Sequence, residues 1–346
     1  MVLRIRLPRA YIYHGFQVRP TSWDYCGSAM KVEFSGRGPV LSASVPSEAS
    51  GLFSVSESHT LVRDELALSR QIGRMMTDGY DKLQVISDFD HTISVYRNGS
   101  MRMLTTHEAI ERHPDIKQST IQELRDLRSH FLPLETNPNL TASLRRTNLE
   151  RWWNMSHELL VSEPITRRVI NEVESFAPIA LRKDFVKFAN YLHDLHIPMT
   201  IFSAGLGDVI QQMLHSARVK MSAINVVANF LKFDYNGNAL EFRRPTIHSQ
   251  NKTLSTVLDL DAFRPVKSVN LLRPNVVLLG DSPHDTDMTK GHQFNCILKI
   301  GFLNEPDAAR IEQYKQLYDV VLLDQESFSV PLKFLKLICS LSGPLP

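Results

Sequence analysis

The sequence predicts an α/β protein built on a mostly parallel sheet, and three observations carry that reading. From residue 82 onward, short apolar runs alternate with stretches of helical periodicity. Six such runs stand out, at 83–87, 198–202, 225–228, 276–279, 296–300 and 320–323. The residues just after several of them are acidic or small, which is what the carboxyl edge of a parallel sheet carries when a ligand sits there. A length of 346 residues suits two domains, or one domain holding a large insertion.

Composition narrows the class. Lys and Arg total 39 against 37 Asp and Glu, a formal charge of +2, and 43% of residues are hydrophobic. A fully disordered chain is excluded, and no global basic field exists to drive non-specific nucleic-acid binding. No apolar run reaches the roughly 18 residues of a membrane-spanning helix. Three widely spaced cysteines, Cys26, Cys296 and Cys339, form neither a disulfide framework nor a zinc cluster and fit a reducing compartment.

Residues 1–80 read as an N-terminal extension, partly disordered and ending in a helix. Its first 47 residues hold six basic and two acidic side chains, punctuated by Ser, Gly and Pro. That composition suits a flexible extension and is also that of an organelle transit peptide; the cytoplasm is the expected location and a mitochondrial address the alternative. Leu61, Leu66, Leu68, Ile72, Met75 and Met76 predict an amphipathic helix over 61–76 packed on the catalytic domain.

The first run leads straight into Asp88-Phe89-Asp90-His91-Thr92. Two carboxylates emerging from a core are costly unless a cation or partner compensates them. The second run ends in Ser203-Ala204-Gly205-Leu206-Gly207-Asp208, which opens a helix at about 209–214. A hydroxyl with free backbone N–H groups at a helix start makes a phosphate cradle. The fourth run ends in Gly280-Asp281-Ser282-Pro283-His284-Asp285, and Lys252 stands upstream of it. Each piece alone is common. Their order, each after a strand, is not.

Residues 97–178 are too long for a loop and read as helices inserted after the first motif. Ser119-Thr120-Ile121-Gln122 has the form of a capping box opening one helix. A second helix carries Leu149, Trp152, Trp153, Ser156 and Leu160, with Trp153 and Ser156 on one face at i and i+3. Trp152 is the better candidate for a core tryptophan, and Trp153 for a stacking surface. Asn236-Gly237 inside 231–242 predicts a β-hairpin.

The motif order resembles that of the haloacid-dehalogenase-like phosphatases. The stretches at 87–94, 152–160, 201–209 and 278–282, with Asn251-Lys252 and 298–304, are similar to the pyrimidine 5′-nucleotidase family of cytosolic type III. The resemblance covers about residues 80–335. It implies a Rossmann-like parallel sheet flanked by helices, with the core at 81–96 and 179–346 and a helical cap at 97–178. His91 stands where the family more often has Met, and Pro283-His284 replace smaller residues; neither change removes a catalytic group.

The resemblance also implies roles. Asp88 would be the nucleophile and Asp90 the general acid and base. Asp88, the backbone carbonyl of Asp90, and Asp281 would hold Mg²⁺, an all-oxygen set suited to that ion. Ser203 and the Ala204 N–H would hold phosphoryl oxygens, Lys252 would balance their charge, and Asp285 would orient Lys252 or a metal-bound water, or else cap a helix starting at 286. Glu135 and Ser156 would recognise the base. A tryptophan at 153 resembles the members that accept 7-methylguanosine monophosphate, whose cationic ring stacks well on an indole. The expected activity is Mg²⁺-dependent hydrolysis of CMP, 7-methyl-GMP and UMP through an aspartyl-phosphate. The alternatives are transfer of the same phosphoryl group to another nucleoside, or nucleotide binding without catalysis. The expected partner is a small nucleoside monophosphate, with no nucleic acid and no membrane, and the chain is expected to be a monomer.

Overall fold

The computed structural model describes residues 59–135, 137–258 and 273–340, with the backbone of two short strands at 33–35 and 38–40. The readings made for the rest of the N-terminal extension, and for Cys26, lie outside the described residues. The chain order is β1 (Thr60–Val62), α1 (Glu65–Asp78), β2 (Leu83–Ser87) and a small hairpin of β3 (Arg97–Asn98) and β4 (Met101–Arg102). Helices α2 (Thr106–Ile110), α3 (Gln118–Glu135), α4 (Ala142–Val161) and α5 (Arg167–Phe176) follow. The chain then forms α6 (Phe185–Asp194), β5 (Met199–Leu206), α7 (Gly207–Ser216), β6 (Ile224–Asn229) and the hairpin β7 (Leu231–Phe233) and β8 (Ala239–Phe242). It closes with α8 (Leu254–Leu258), β9 (Asn275–Gly280), β10 (Cys296–Leu303), α9 (Ala308–Leu317), β11 (Val320–Leu323) and α10 (Ser329–Cys339).

Seven strands form one sheet in the order β1-β11-β10-β9-β2-β5-β6, parallel throughout except for β1 against β11. Every residue of β2 and β9 is buried. Strands covered on both faces must be apolar without alternation, which is why they read as continuous runs. All six expected strands are present, some longer than the runs that signalled them, and the Asn-Gly hairpin forms. Val85, Ile201, Leu279 and Ile300 of the sheet share one buried cluster with Ile121, Leu160 and Val169 of the helical segment. No helix among the described residues is long and apolar enough to cross a membrane.

Three local expectations are corrected. The stretch expected to be one helix over 61–76 is a strand followed by a helix, because Thr60–Val62 pairs with Val320–Leu322 and covers that edge. Asp64 then caps α1, accepting from Ala67 N at 2.9 Å, and Gly79 at φ +86° lets the chain turn away. The fold therefore includes residues from about 60, not 81. In α3, Ser119 lies inside the helix rather than capping it. Glu163 serves that N-terminus from another segment, accepting from Lys117 N at 3.1 Å and Thr120 Oγ1 at 2.5 Å. Asp285 does not cap a helix at 286; Ser282 caps the short turn Pro283–Asp287, and Asp285 is its third residue.

Candidate active site

The carboxyl ends of β2, β5 and β9 lie side by side, because those strands are consecutive in the sheet. Asp88, Ser203 and Asp281 thus converge from positions up to 193 residues apart in the chain, the separation of Asp88 from Asp281. Asp88 is buried, its N–H bonded to Leu279 O at 3.0 Å. Lys252 Nζ donates to Asp88 Oδ1 at 2.6 Å and lies 2.5 Å from Asp285 Oδ1. The loop before α8 presents that lysine: Asn251 Oδ1 accepts from His248 N, and Asn251 Nδ2 donates to Thr246 O, both at 2.8 Å.

Asp285 does two jobs at once. Its Oδ2 accepts from Asp281 N at 3.0 Å and Ser282 N at 2.8 Å, while its other oxygen pairs with Lys252. A β-carbon at Gly280 would lie 2.3 Å from the Asp285 Cβ, so this closure needs glycine. Of the readings given to Asp285, the contact with Lys252 is present and the helix cap at 286 is not; its support of the Asp281 and Ser282 backbone was not foreseen.

Asp90 points the other way. Its carboxylate accepts from Thr106 N and from Thr106 Oγ1, both at 2.8 Å, which ties the first motif to the start of α2. Burial, with Asp88 close by, pushes the Asp90 carboxyl up to about 7. Asp88 rises to about 6, driven by burial that Lys252 partly offsets. Asp281 is held well above the carboxylate range by burial and by Asp88 and Asp285. Burial lowers the affinity of Lys252 for its proton, but Asp285 and Asp88 outweigh it and keep the ammonium charged.

Carboxylate oxygens of Asp88, Asp281 and Asp285 approach within 4.8 Å of one another. Three such groups with only one lysine between them carry excess negative charge, and an all-oxygen set fits a hard divalent cation. Asp285 already serves Lys252 and two backbone N–H groups, whereas Asp88 and Asp281 carry fewer close contacts and are the side chains that could hold it. The carboxylate of Asp90 is turned to Thr106, so Asp90 could contribute only its backbone carbonyl.

Above this floor is a cavity of about 270 Å³ that reaches Asp88, Asp90, Ser203 and Ala204 below and Trp152, Trp153 and Ser156 of α4 above. The two indoles stack at 5.9 Å, and Trp153 also meets the His107 ring at 4.5 Å. Trp152 therefore lines the cavity with Trp153 and is not a core tryptophan. Ser203 Oγ accepts from Gly205 N at 2.9 Å. A β-carbon on Gly205 would come within 2.2 Å of Thr106 Oγ1 and 2.5 Å of Asp90 Oδ2.

Glu135 does not line this cavity. At the end of α3, its carboxylate accepts from Ser249 Oγ and its backbone carbonyl from Gln250 Nε2 at 3.4 Å. It ties the helical segment to the loop that carries Lys252.

Several residues that sequence reasoning missed complete the site. Arg182 is fully buried and donates to Thr92 O at 2.8 Å, His91 O at 2.6 Å and Asn304 Oδ1 at 2.6 Å. It fastens the loop in which His91 adopts φ +61°. Asn304 in turn donates to Asp281 Oδ2 at 3.2 Å. The segment 298–304 had signalled Asn304 without giving it a role; nothing nearby in the chain marks Arg182.

Comparison with known proteins places this geometry. The pyrimidine 5′-nucleotidase (UMPH-1) family matches residues 91–339. The chain belongs to the pyrimidine 5′-nucleotidase family. Among its relatives in that family is the 7-methylguanosine phosphate-specific 5′-nucleotidase of Gallus gallus, 36% identical over 73% of this chain and 86% of its own. The Homo sapiens protein of the same name is 32% identical over 78% of this chain and 89% of its own. The crystal structure of cytosolic 5′-nucleotidase IIIB bound to cytidine superposes with a TM-score of 0.75. It is 29% identical and covers 84% of this chain and 97% of that one. The chain is thus an enzyme of a 5′-nucleotidase family, with the α/β fold expected for it.

Proposed function

We propose that this protein is a Mg²⁺-dependent 5′-nucleotidase that hydrolyses CMP, 7-methyl-GMP and UMP through an aspartyl-phosphate on Asp88. One observation supports this reading above the others: Asp88, paired with Lys252, and Asp90 lie together at the foot of a cavity roofed by two indoles. In the first step an Asp88 carboxylate oxygen bonds to phosphorus as the bond to the nucleoside 5′-oxygen breaks. Asp90 gives that oxygen its proton. In the second, water attacks phosphorus, Asp90 takes a proton from it, and the bond to Asp88 breaks to release phosphate. A group that is acid in one step and base in the next works best near the ambient pH. The protonated fraction of Asp90 falls as pH rises through about 7, so the first step slows above that point.

Asp88 and Asp281 would hold the Mg²⁺, which supplies positive charge against the phosphate. Lys252 adds a fixed positive charge beside the nucleophile, and Ser203 with the Ala204 N–H would orient phosphoryl oxygens. Helices in 97–178 act as a cap whose tryptophans stack on the base and keep water out. The names of the curated relatives and the cytidine-bound neighbour support a nucleoside monophosphate as substrate. The cytoplasm as location, a monomeric state and the absence of nucleic-acid partners belong to the same proposal.

The test is phosphate release from CMP, UMP, AMP, GMP and 7-methyl-GMP, with Mg²⁺ and with a chelator. Wild-type protein should release phosphate only with the metal, and Asp88→Asn should release none. Folded wild-type protein inert toward all five would overturn the proposal.

A further inference from the structure

Asn304 is the first residue after β10, and β10 lies beside β9, so the sheet brings Asn304 to the same edge as Asp281. It is buried, and every polar atom of its amide has a partner. Its Oδ1 accepts from Arg182 Nη2 at 2.6 Å, while its Nδ2 donates to His91 O at 3.1 Å and to Asp281 Oδ2 at 3.2 Å. The neighbours leave the amide one orientation. A guanidinium only donates, so the amide oxygen must face Arg182; a carbonyl and an ionised carboxylate only accept, so the nitrogen must face them.

Asp281 needs such an anchor. Asp88 and Asp285 crowd it with negative charge, and their repulsion favours any rotation that takes its carboxylate away from them. The other side-chain donor to it among the described residues, Thr92 Oγ1, stands at 3.4 Å from its Oδ1. A lysine or arginine at 304 would grip the carboxylate, but its charge would compete with the divalent cation that the acidic cluster suits. A neutral amide fixes the carboxylate and leaves its charge unspent. Arg182 stiffens the amide from behind, and its own charge is engaged elsewhere: it pairs with Glu326 at 2.9 Å, donates to the carbonyls of His91 and Thr92, and lies over the Phe302 ring at 4.5 Å.

We propose that Asn304, held by Arg182, is a positioning residue that keeps the Asp281 carboxylate arranged for the divalent cation and so sets the affinity for the metal. The inference rests on the nucleotidase reading above and adds a residue to it. Asn304 acts through Asp281 and needs no contact with phosphate or base. Groups that orient a metal ligand from outside typically govern affinity by about 10–100-fold. Because the same amide nitrogen also donates to His91 O, it joins the loop that follows the first motif to the loop that carries Asp281.

The experiment measures melting temperature in chelator and across a Mg²⁺ titration, for wild-type protein and Asn304→Leu. Leucine is close to the amide in size and lacks its donor. Wild-type protein should melt higher as Mg²⁺ is added, because an ion that binds only the native state stabilises it. In Asn304→Leu the same rise should need about tenfold or more Mg²⁺, and the Mg²⁺ concentration for half-maximal phosphate release from CMP should move with it. A purely structural role would lower the melting temperature in chelator and leave the Mg²⁺ dependence within about twofold of wild type; that result overturns the proposal. Asn304→Ser, whose hydroxyl is too short to reach both Arg182 and Asp281, serves if the leucine variant does not fold. It should shift the Mg²⁺ dependence in the same direction, and an unchanged dependence again overturns the proposal. Wild-type protein whose melting ignores Mg²⁺ would instead show that the metal-dependent reading itself has failed.

Discussion

The floor and the roof of the cavity are built by different means. On the floor, Asp88 and Asp281 follow buried parallel strands and Ser203 lies within the carboxyl half of another, so the sheet sets their mutual distances. In the roof, Trp153 and Arg128 come from two helices and share the cavity only when those helices pack. The floor tolerates little change because backbone positions are fixed on both faces of the sheet. The roof can alter its side chains while the floor stays the same. In the proposed function, chemistry belongs to the floor and base selectivity to the roof.

The largest effect expected is at Lys252. Lys252→Met leaves Asp88 and Asp285 buried without their shared cation, and removing one partner of a buried pair costs about 3–5 kcal/mol. Chemical denaturation should show that loss along with near-complete loss of turnover. A variant of unchanged stability would mean the floor is less rigid than the comparison requires. Next is Gly205→Ala. Its methyl would displace Asp90 or Thr106, and a displacement of about 1 Å costs on the order of 10²-fold in rate. The drop should be in kcat for every base alike, since the floor does not read the base.

The roof should behave the opposite way. Trp153→Ala should lower kcat/KM for 7-methyl-GMP by about tenfold or more, consistent with ~1–3 kcal/mol per stacked base, and should cost UMP less. Equal losses for all bases would erase the distinction between the two regions. The effect that is smallest near neutral pH concerns stability. Burial, with Arg244 nearby, lowers the pKa of His157 to about 3, and its ring stacks on Phe242 at 3.7 Å. The native state refuses a proton that the unfolded chain accepts below its ordinary pKa of 6.5. Its contribution is therefore full above pH 6.5 and is lost as pH falls from there toward 3, at up to about 1.4 kcal/mol per pH unit. His157→Phe should flatten the fall of melting temperature across that window.

How much of this was legible follows from the same contrast. The strands and the motif residues after them could be read because burial on both faces writes a continuous apolar run, and the chemistry follows it directly. The edge strand at Thr60–Val62 could not, since three residues beside a helix share that helix's apolar pattern. Arg182, which fastens the loop carbonyls at His91 and Thr92, carries no local signal because its partners lie about 90 residues away or more. Glu135 was assigned by resemblance to base recognition, and the structure gives it a different contact, on the loop of Lys252.

The central claim is that Asp88 carries the phosphoryl group. A single turnover of CMP labelled with ³²P, quenched in acid at intervals, tests it directly. Label should appear transiently on wild-type protein, be released by alkali, and never appear on Asp88→Asn. Phosphate release with no labelled protein at any time, or with equal labelling of Asp88→Asn, would contradict the account.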